Sequence, residues 1–166
     1  MAHLSILAAA VFAAATNTAS AEEARAETNE DAERAAIQAA IDVMFEGLRE
    51  RDLDKWSATM RPEGAWFIQR YFDDEITIST TDTAARMAAL GDSDTVVDEQ
   101  VWDPTILIHR DMAVYWAPFE VEADGETVQC GVNSFQMMKD AGAWKVTNIS
   151  YTAEPCDTFD VPASTD

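Results

Sequence analysis

The strongest periodic signal in the chain is helical. Ile37, Ile41, Met44, Phe45 and Leu48 recur at three- and four-residue spacing and fall on one helical face. Thr28 or Asn29 can cap this helix, predicted over about 29–50. Asp52 can cap a short second helix, about 53–60, carrying Leu53 and Trp56 until Pro62-Glu63-Gly64 breaks it. Ala65–Tyr71 and Glu75–Thr80 read as strands around a turn at Phe72-Asp73-Asp74. A third helix starts at Thr81 or Asp82, carries Met87 and Leu90, and ends at Gly91.

Beyond Thr95 the pattern becomes strand after strand: Val96–His109, Met112–Ala123, Glu126–Lys139 and Ala143–Tyr151. Asp124-Gly125 is a strong two-residue hairpin signal. Helix, helix, hairpin, helix and a long antiparallel meander define an α+β order. Strands this long curl, so the expected fold is a cone: a strongly curved, mostly antiparallel sheet wrapped around the N-terminal helix, with three helices in all.

Hairpin turns decide which residues share a face. A two-residue turn at Asp124-Gly125 pairs Glu120 with Gln129, Trp116 with Asn133 and Val114 with Phe135. A turn over 140–143 pairs Phe135 with Asn148 and Asn133 with Ser150, and a turn at Arg110-Asp111 pairs Thr105 with Trp116 and Asp103 with Pro118. The expected inner face is apolar at one end, with Leu107, Val114, Phe135, Met137 and Val146. At the other end Asp103, Glu120, Gln129, Asn133, Asn148 and Ser150 surround Trp116. Such a mixed wall at the mouth of a cone is the usual anatomy of a small-molecule pocket. The opposite face carries Tyr115, Phe119, Val132 and Tyr151, and is apolar enough to serve as the interface of a homodimer. Pro118 in mid-strand implies an edge or a bulge, which would shift the face of the residues before it.

The termini add a location. Leu4–Ala15 is almost wholly apolar, the length of a signal h-region and too short to span a bilayer. Ala19-Ser20-Ala21 then offers a small-x-small cleavage site. The expected layout is a signal peptide over 1–21, an acidic lead-in over 22–28, one α+β domain over 29–156 and a loose polar tail over 157–166. The mature protein is expected in the periplasm or outside the cell. In that oxidising setting Cys130 and Cys156 can form a disulfide, contributing roughly 3–4 kcal/mol in the chain-entropy model.

Charge narrows the partners. The chain has 31 acidic and 11 basic residues, a formal net charge of −20. Nucleic acid and anionic membranes are recognised through Lys and Arg, so neither is an expected partner. Of the two histidines, His3 lies in the signal segment and His109 at a turn. A His-based metal site or a Ser-His-Asp triad has almost no material, and neither metal nor cofactor is expected.

Trp102-Asp103-Pro104, Trp116-Ala117-Pro118-Phe119, Asp124-Gly125, Cys130-Gly131-Val132-Asn133-Ser134-Phe135 and Trp144-Lys145-Val146 resemble the C-terminal half of nuclear transport factor 2-like, SnoaL-like proteins. The helix at 29–50 followed by Asp52-Leu53-Asp54-Lys55-Trp56 resembles the opening of that fold. The resemblance covers about residues 29–153 and implies a conical α+β barrel. It implies no particular activity, because that superfamily holds isomerases, dehydratases, hydrolases, cyclases and non-catalytic binders. Relatives often carry a His where Gln129 stands here, and Gln cannot titrate.

Three functions follow. The first is an exported binding module for a small apolar or amphipathic molecule, with Trp116, Gln129, Asn133, Asn148 and Ser150 in its pocket. The second is a cofactor-independent lyase or isomerase using Asp103 or Glu120 as acid or base, since burial raises a carboxyl pKa toward neutrality. The third is an oligomeric interaction protein with a filled cone, associating through the opposite face.

Overall fold

The computed structural model describes residues 9–72 and 75–160, with side chains from Asn29 onward. The apolar run before Ala9, Asp73-Asp74 of the expected turn and the end of the expected tail lie outside them. The chain forms two compact units, Met1–Ala35 and Ala36–Asp166. Helix α1 spans Ala9–Glu50. Its backbone is helical through the acidic stretch 22–28, so the helix begins before the expected start near 29. Ala, Glu and Arg dominate that stretch and are strong helix formers, so no cap is needed at Thr28 or Asn29.

Within the second unit, Ile37, Ile41, Met44 and Phe45 are buried on the predicted face of α1. Helix α2 (Leu53–Ala58) begins at the Asp52 cap, whose carboxylate accepts from the Lys55 amide at 2.9 Å. Strands β1 (Met60–Phe72) and β2 (Glu75–Asp82) form the first hairpin. Pro62-Glu63-Gly64 lies in an irregularity inside β1, where pairing with the last strand lapses between Met60 and Ala65. Helix α3 (Thr83–Asp92) is capped by Asp82, whose carboxylate accepts from the Ala85 amide.

The run expected as one strand over 96–109 is two: β3 (Val97–Val101) and β4 (Thr105–His109). They occupy successive halves of one edge of β5 (Met112–Ala123). The break at Trp102-Asp103-Pro104 faces Pro118, the residue whose missing N–H predicted an edge, and Asp103 has φ 45°. Strands β6 (Glu126–Asp140) and β7 (Ala143–Ala153) complete a sheet ordered β2-β1-β7-β6-β5-β3, with β4 also on β5. Among the described residues only the β1–β7 pairing is parallel.

All three meander turns fall where the sequence places them. Asp124 and Gly125 have φ of 53° and 85°, Ala141 and Gly142 of 49° and 87°, the left-handed pairs that match a hairpin's twist. Thr105 pairs with Trp116, as expected. Two bulges, however, overturn the expected faces. Val121 pairs with Gln129 while Glu122 pairs with Thr127, so Val128 is extra; Gln136 pairs with Asn148 while Met137 pairs with Val146, so Thr147 is extra. Trp116 therefore faces Ser134, Glu120 faces Cys130, and Asn133 lies between Ala117 and Tyr151.

The interior face of β5 is thus Ala113, Tyr115, Ala117 and Phe119, all buried. Ala113, Tyr115 and Ala117 pack with Phe135, Met137, Trp144, Val146 and Ile149 against α1 and Trp56, and Phe45 meets Phe135 edge-on at 6.0 Å. Bulges bend and twist a strand, so the two extra residues curl the sheet around its helix. Gly131 tightens the curl: a Cβ there would stand 2.1 Å from the Thr152 carbonyl oxygen.

Candidate functional site

A cavity of about 180 Å³ opens at one end of the curled sheet, between α1, α3 and β3. Most of its wall is apolar: Phe45, Trp56, Trp66, Phe119, Phe135 and Ile149. Glu99, Asn133, Gln129, Arg70, Arg86 and Tyr151 supply its polar groups.

Each polar group has a traceable position. Glu99 shares a face of β3 with Val97 and Val101 and pairs with Val121, itself opposite Gln129. Asn133 is buried on β6 and donates from Nδ2 to the Glu99 carboxylate at 2.5 Å. Burial pushes the Glu99 carboxyl up to about 7, against the Asn133 hydrogen bond and the Arg86 charge, which both favour the carboxylate. Arg86, one turn before Leu90 on α3, lays its guanidinium over the Trp66 ring, 5.4 Å from the centroid. The Trp66 indole donates to the Thr83 hydroxyl at 3.2 Å, which ties ring and helix together. Burial raises the Tyr151 phenol, and Arg86 and Arg70 hold it back.

Of the expected pocket residues, Gln129 and Asn133 line this cavity. The others lie elsewhere because the Val128 and Thr147 bulges move them. Trp116 and Ser150 border a shallow outer groove with Phe67, Ile78 and Val132. Asn148 faces outward too, donating to Gln136 at 2.9 Å and accepting from the Ala65 amide at 3.0 Å. Asp103 is exposed at the β3–β4 break. Glu120 points toward Thr127 and Cys130, away from the cavity. Of the face expected to form an interface, Tyr115 and Phe119 are core residues, Tyr151 borders both the cavity and the outer groove, and Val132 borders the groove.

Glu99, Arg86 and Arg70 were not among the expected site residues. The signal for Glu99 was its parity: a carboxylate between Val97 and Val101 on one strand face.

Cys130 and Cys156 are joined in a disulfide that closes a sequence separation of 26. Paired hydrogen bonds between Cys130 and Glu154 hold the chain after β7 against β6. Among the described residues, Glu120, Cys130 and Cys156 bring potential ligand atoms within 4.8 Å of one another. Both sulfurs are spent in the disulfide, so no thiolate remains to coordinate a metal. Among the described residues no helix is long and apolar enough to cross a membrane.

This architecture is similar to the cystatin-like fold seen in NTF2-like proteins. The chain is similar to an NTF2-like protein from Novosphingobium aromaticivorans: 16% identity, TM-score 0.62, covering 82% of this chain and 89% of that one. An NTF2-like protein from Cytophaga hutchinsonii matches at 18% identity and TM-score 0.61, over 72% of this chain and 97% of that one. A Novosphingobium aromaticivorans chain assigned as the β subunit of an aromatic-ring-hydroxylating dioxygenase matches at 14% identity and TM-score 0.62, over 76% and 92%. At such identities the likeness is one of fold. No family model and no curated protein matches the sequence.

Proposed function

We propose that this protein is an exported small-molecule-binding domain whose ligand enters the cavity between α1, α3 and the curled sheet. The observation that carries this reading is a largely apolar cavity with a few convergent polar groups, Glu99, Asn133 and Arg86, at one side. A packed core with no ligand role has no reason to keep a carboxyl and a guanidinium there, because both cost stability. One-ring neutral probes such as phenol and toluene test it: they should raise the melting midpoint of the wild type but not of an Ile149→Phe variant with a filled cavity. If no probe raises the wild-type midpoint, the reading fails.

Export is supported by the apolar Leu4–Ala15 run, the Ala19-Ser20-Ala21 motif and the disulfide, which persists in oxidising compartments. Intact mass of periplasmic protein should place its first residue near Glu22. The outer groove with Phe67, Ile78, Trp116 and Val132 is where we place a homodimer contact, and sedimentation of a Trp116→Glu variant tests that assignment.

Glu99 favours a second reading, a cofactor-independent lyase or isomerase. The role expected of Asp103 or Glu120 passes to Glu99, which lines the cavity and is protonated about half the time near pH 7. Glu99-dependent exchange of carbon-bound hydrogen into a one-ring ketone from heavy water would support it. Equal exchange in Glu99→Gln would dismiss it.

A further inference from the structure

We propose that the cavity takes a one-ring organic carboxylate, whose carboxylate pairs with the Arg86 guanidinium. The proposal rests on the small-molecule-binding reading above and names its ligand class. Arg86 is the unbalanced group of the site. Its Nε is buried with no hydrogen-bond partner among the described residues. No ion pair within 4.0 Å involves it among those residues, and Glu99 acts on it only at longer range.

A guanidinium cannot shed its proton inside a protein, so it stays charged in this apolar surrounding. The Trp66 face answers part of that charge but accepts none of the in-plane N–H groups. A carboxylate answers both needs, since its two oxygens match the guanidinium fork with parallel charge-assisted bonds. Arg70, the second cation of the wall, adds to the positive field, and the Tyr151 hydroxyl hydrogen-bonds Arg70 within electrostatic reach of Arg86.

The rest of the wall sets size and shape. A cavity of about 180 Å³ is close to the roughly 150 Å³ that admits benzene in an engineered apolar core. Phe119, Phe135 and Ile149 offer flat or apolar surface for one ring. Glu99, held by Asn133, repels an anion when ionised, so the carboxylate binds best where Glu99 is protonated.

Calorimetric titration of the mature protein near pH 6 with benzoate, benzamide and toluene tests the proposal. Benzoate should bind at least about tenfold more tightly than benzamide, a difference of about 1.4 kcal/mol. Arg86→Gln should erase that preference while toluene binds unchanged, and Arg86→Lys should restore part of it. Toluene binding to Arg86→Gln shows that this variant still folds around the cavity. If benzamide binds as well as benzoate, the anion assignment fails while small-molecule binding stands. If none of the three binds the wild type, both readings fall.

Discussion

Replacing Glu99 by Gln should make the protein more stable above neutral pH and leave it no better below pH 5. The Glu99 carboxyl is pushed up from an ordinary 4.5 to about 7 in the folded chain. Between those values the native state holds a proton that the unfolded chain has released. Stability therefore falls as pH rises through that window, and the loss is complete once pH exceeds the folded value. The window spans about two and a half pH units, which at about 1.4 kcal/mol per unit comes to about 3 kcal/mol. Gln is a neutral isostere that still accepts from Asn133. Its amide brings two donors to a site with few acceptors, at a cost of about 1 kcal/mol.

The net gain at pH 8 is then about 2 kcal/mol, or about 6 °C in the midpoint for a chain of this size. Near pH 5 the variant should match the wild type or melt slightly lower. Thermal melts of both proteins from pH 5 to about pH 9 give the difference curve, from which the other acids, common to both, largely cancel. Parallel curves would refute the reasoning, because they would mean that the Glu99 carboxyl meets the same environment folded and unfolded.

Two further outcomes follow from geometry. Opening the Cys130–Cys156 link, by reductant or as the double Ser variant, should cost about 3.5 kcal/mol for a separation of 26 in the chain-entropy model. Urea titration with and without reductant checks it. Gly131→Ala should cost at least about 3 kcal/mol by overpacking, since its Cβ meets backbone rather than a movable side chain, and denaturant midpoints will show it.

Elements were legible in the sequence because their causes are local. Asp52 and Asp82 cap helices in any context, and Asp124-Gly125 turns a hairpin wherever it stands. The NTF2-like fold was legible for the same reason, through Trp116-Ala117-Pro118-Phe119 and its companions. The inner face was not. Val128 and Thr147 are ordinary strand residues, and nothing local marks them as extra. They answer to the curvature of the whole sheet, which no single strand encodes. Yet the alternation of β5 held the correction: Ala113, Tyr115, Ala117, Phe119 and Val121 are all apolar on one parity, whereas the other parity holds Glu120 and Glu122. Weighting that pattern above turn arithmetic puts Tyr115 inside and Trp116 outside. Gln129 and Asn133 were placed at the cavity, but the carboxylate beside them was missed by the same slip. With β5 inverted and β3 fused to β4, Asp103 and Glu120 occupied the place that belongs to Glu99.

The charge of the chain makes a last prediction about how its ligand arrives. A protein with net charge −20 repels an anion at long range, although Arg86 and Arg70 attract it inside the cavity. The two effects differ in their exposure to salt. The approach runs through solvent, where screening shortens the field from about 30 Å at 10 mM to about 8 Å at 150 mM. The final contact is inside the protein, where ions screen far less. Added salt should therefore speed the association of benzoate while changing its dissociation little, the reverse of the usual behaviour of charge-steered binding. Benzamide, with no charge to repel, should show no such rise. Stopped-flow tryptophan fluorescence over that salt range separates the two rates. A benzoate association rate that falls with salt would show that the cations govern the approach as well as the contact, and that the acidic surface plays no part in selecting what enters.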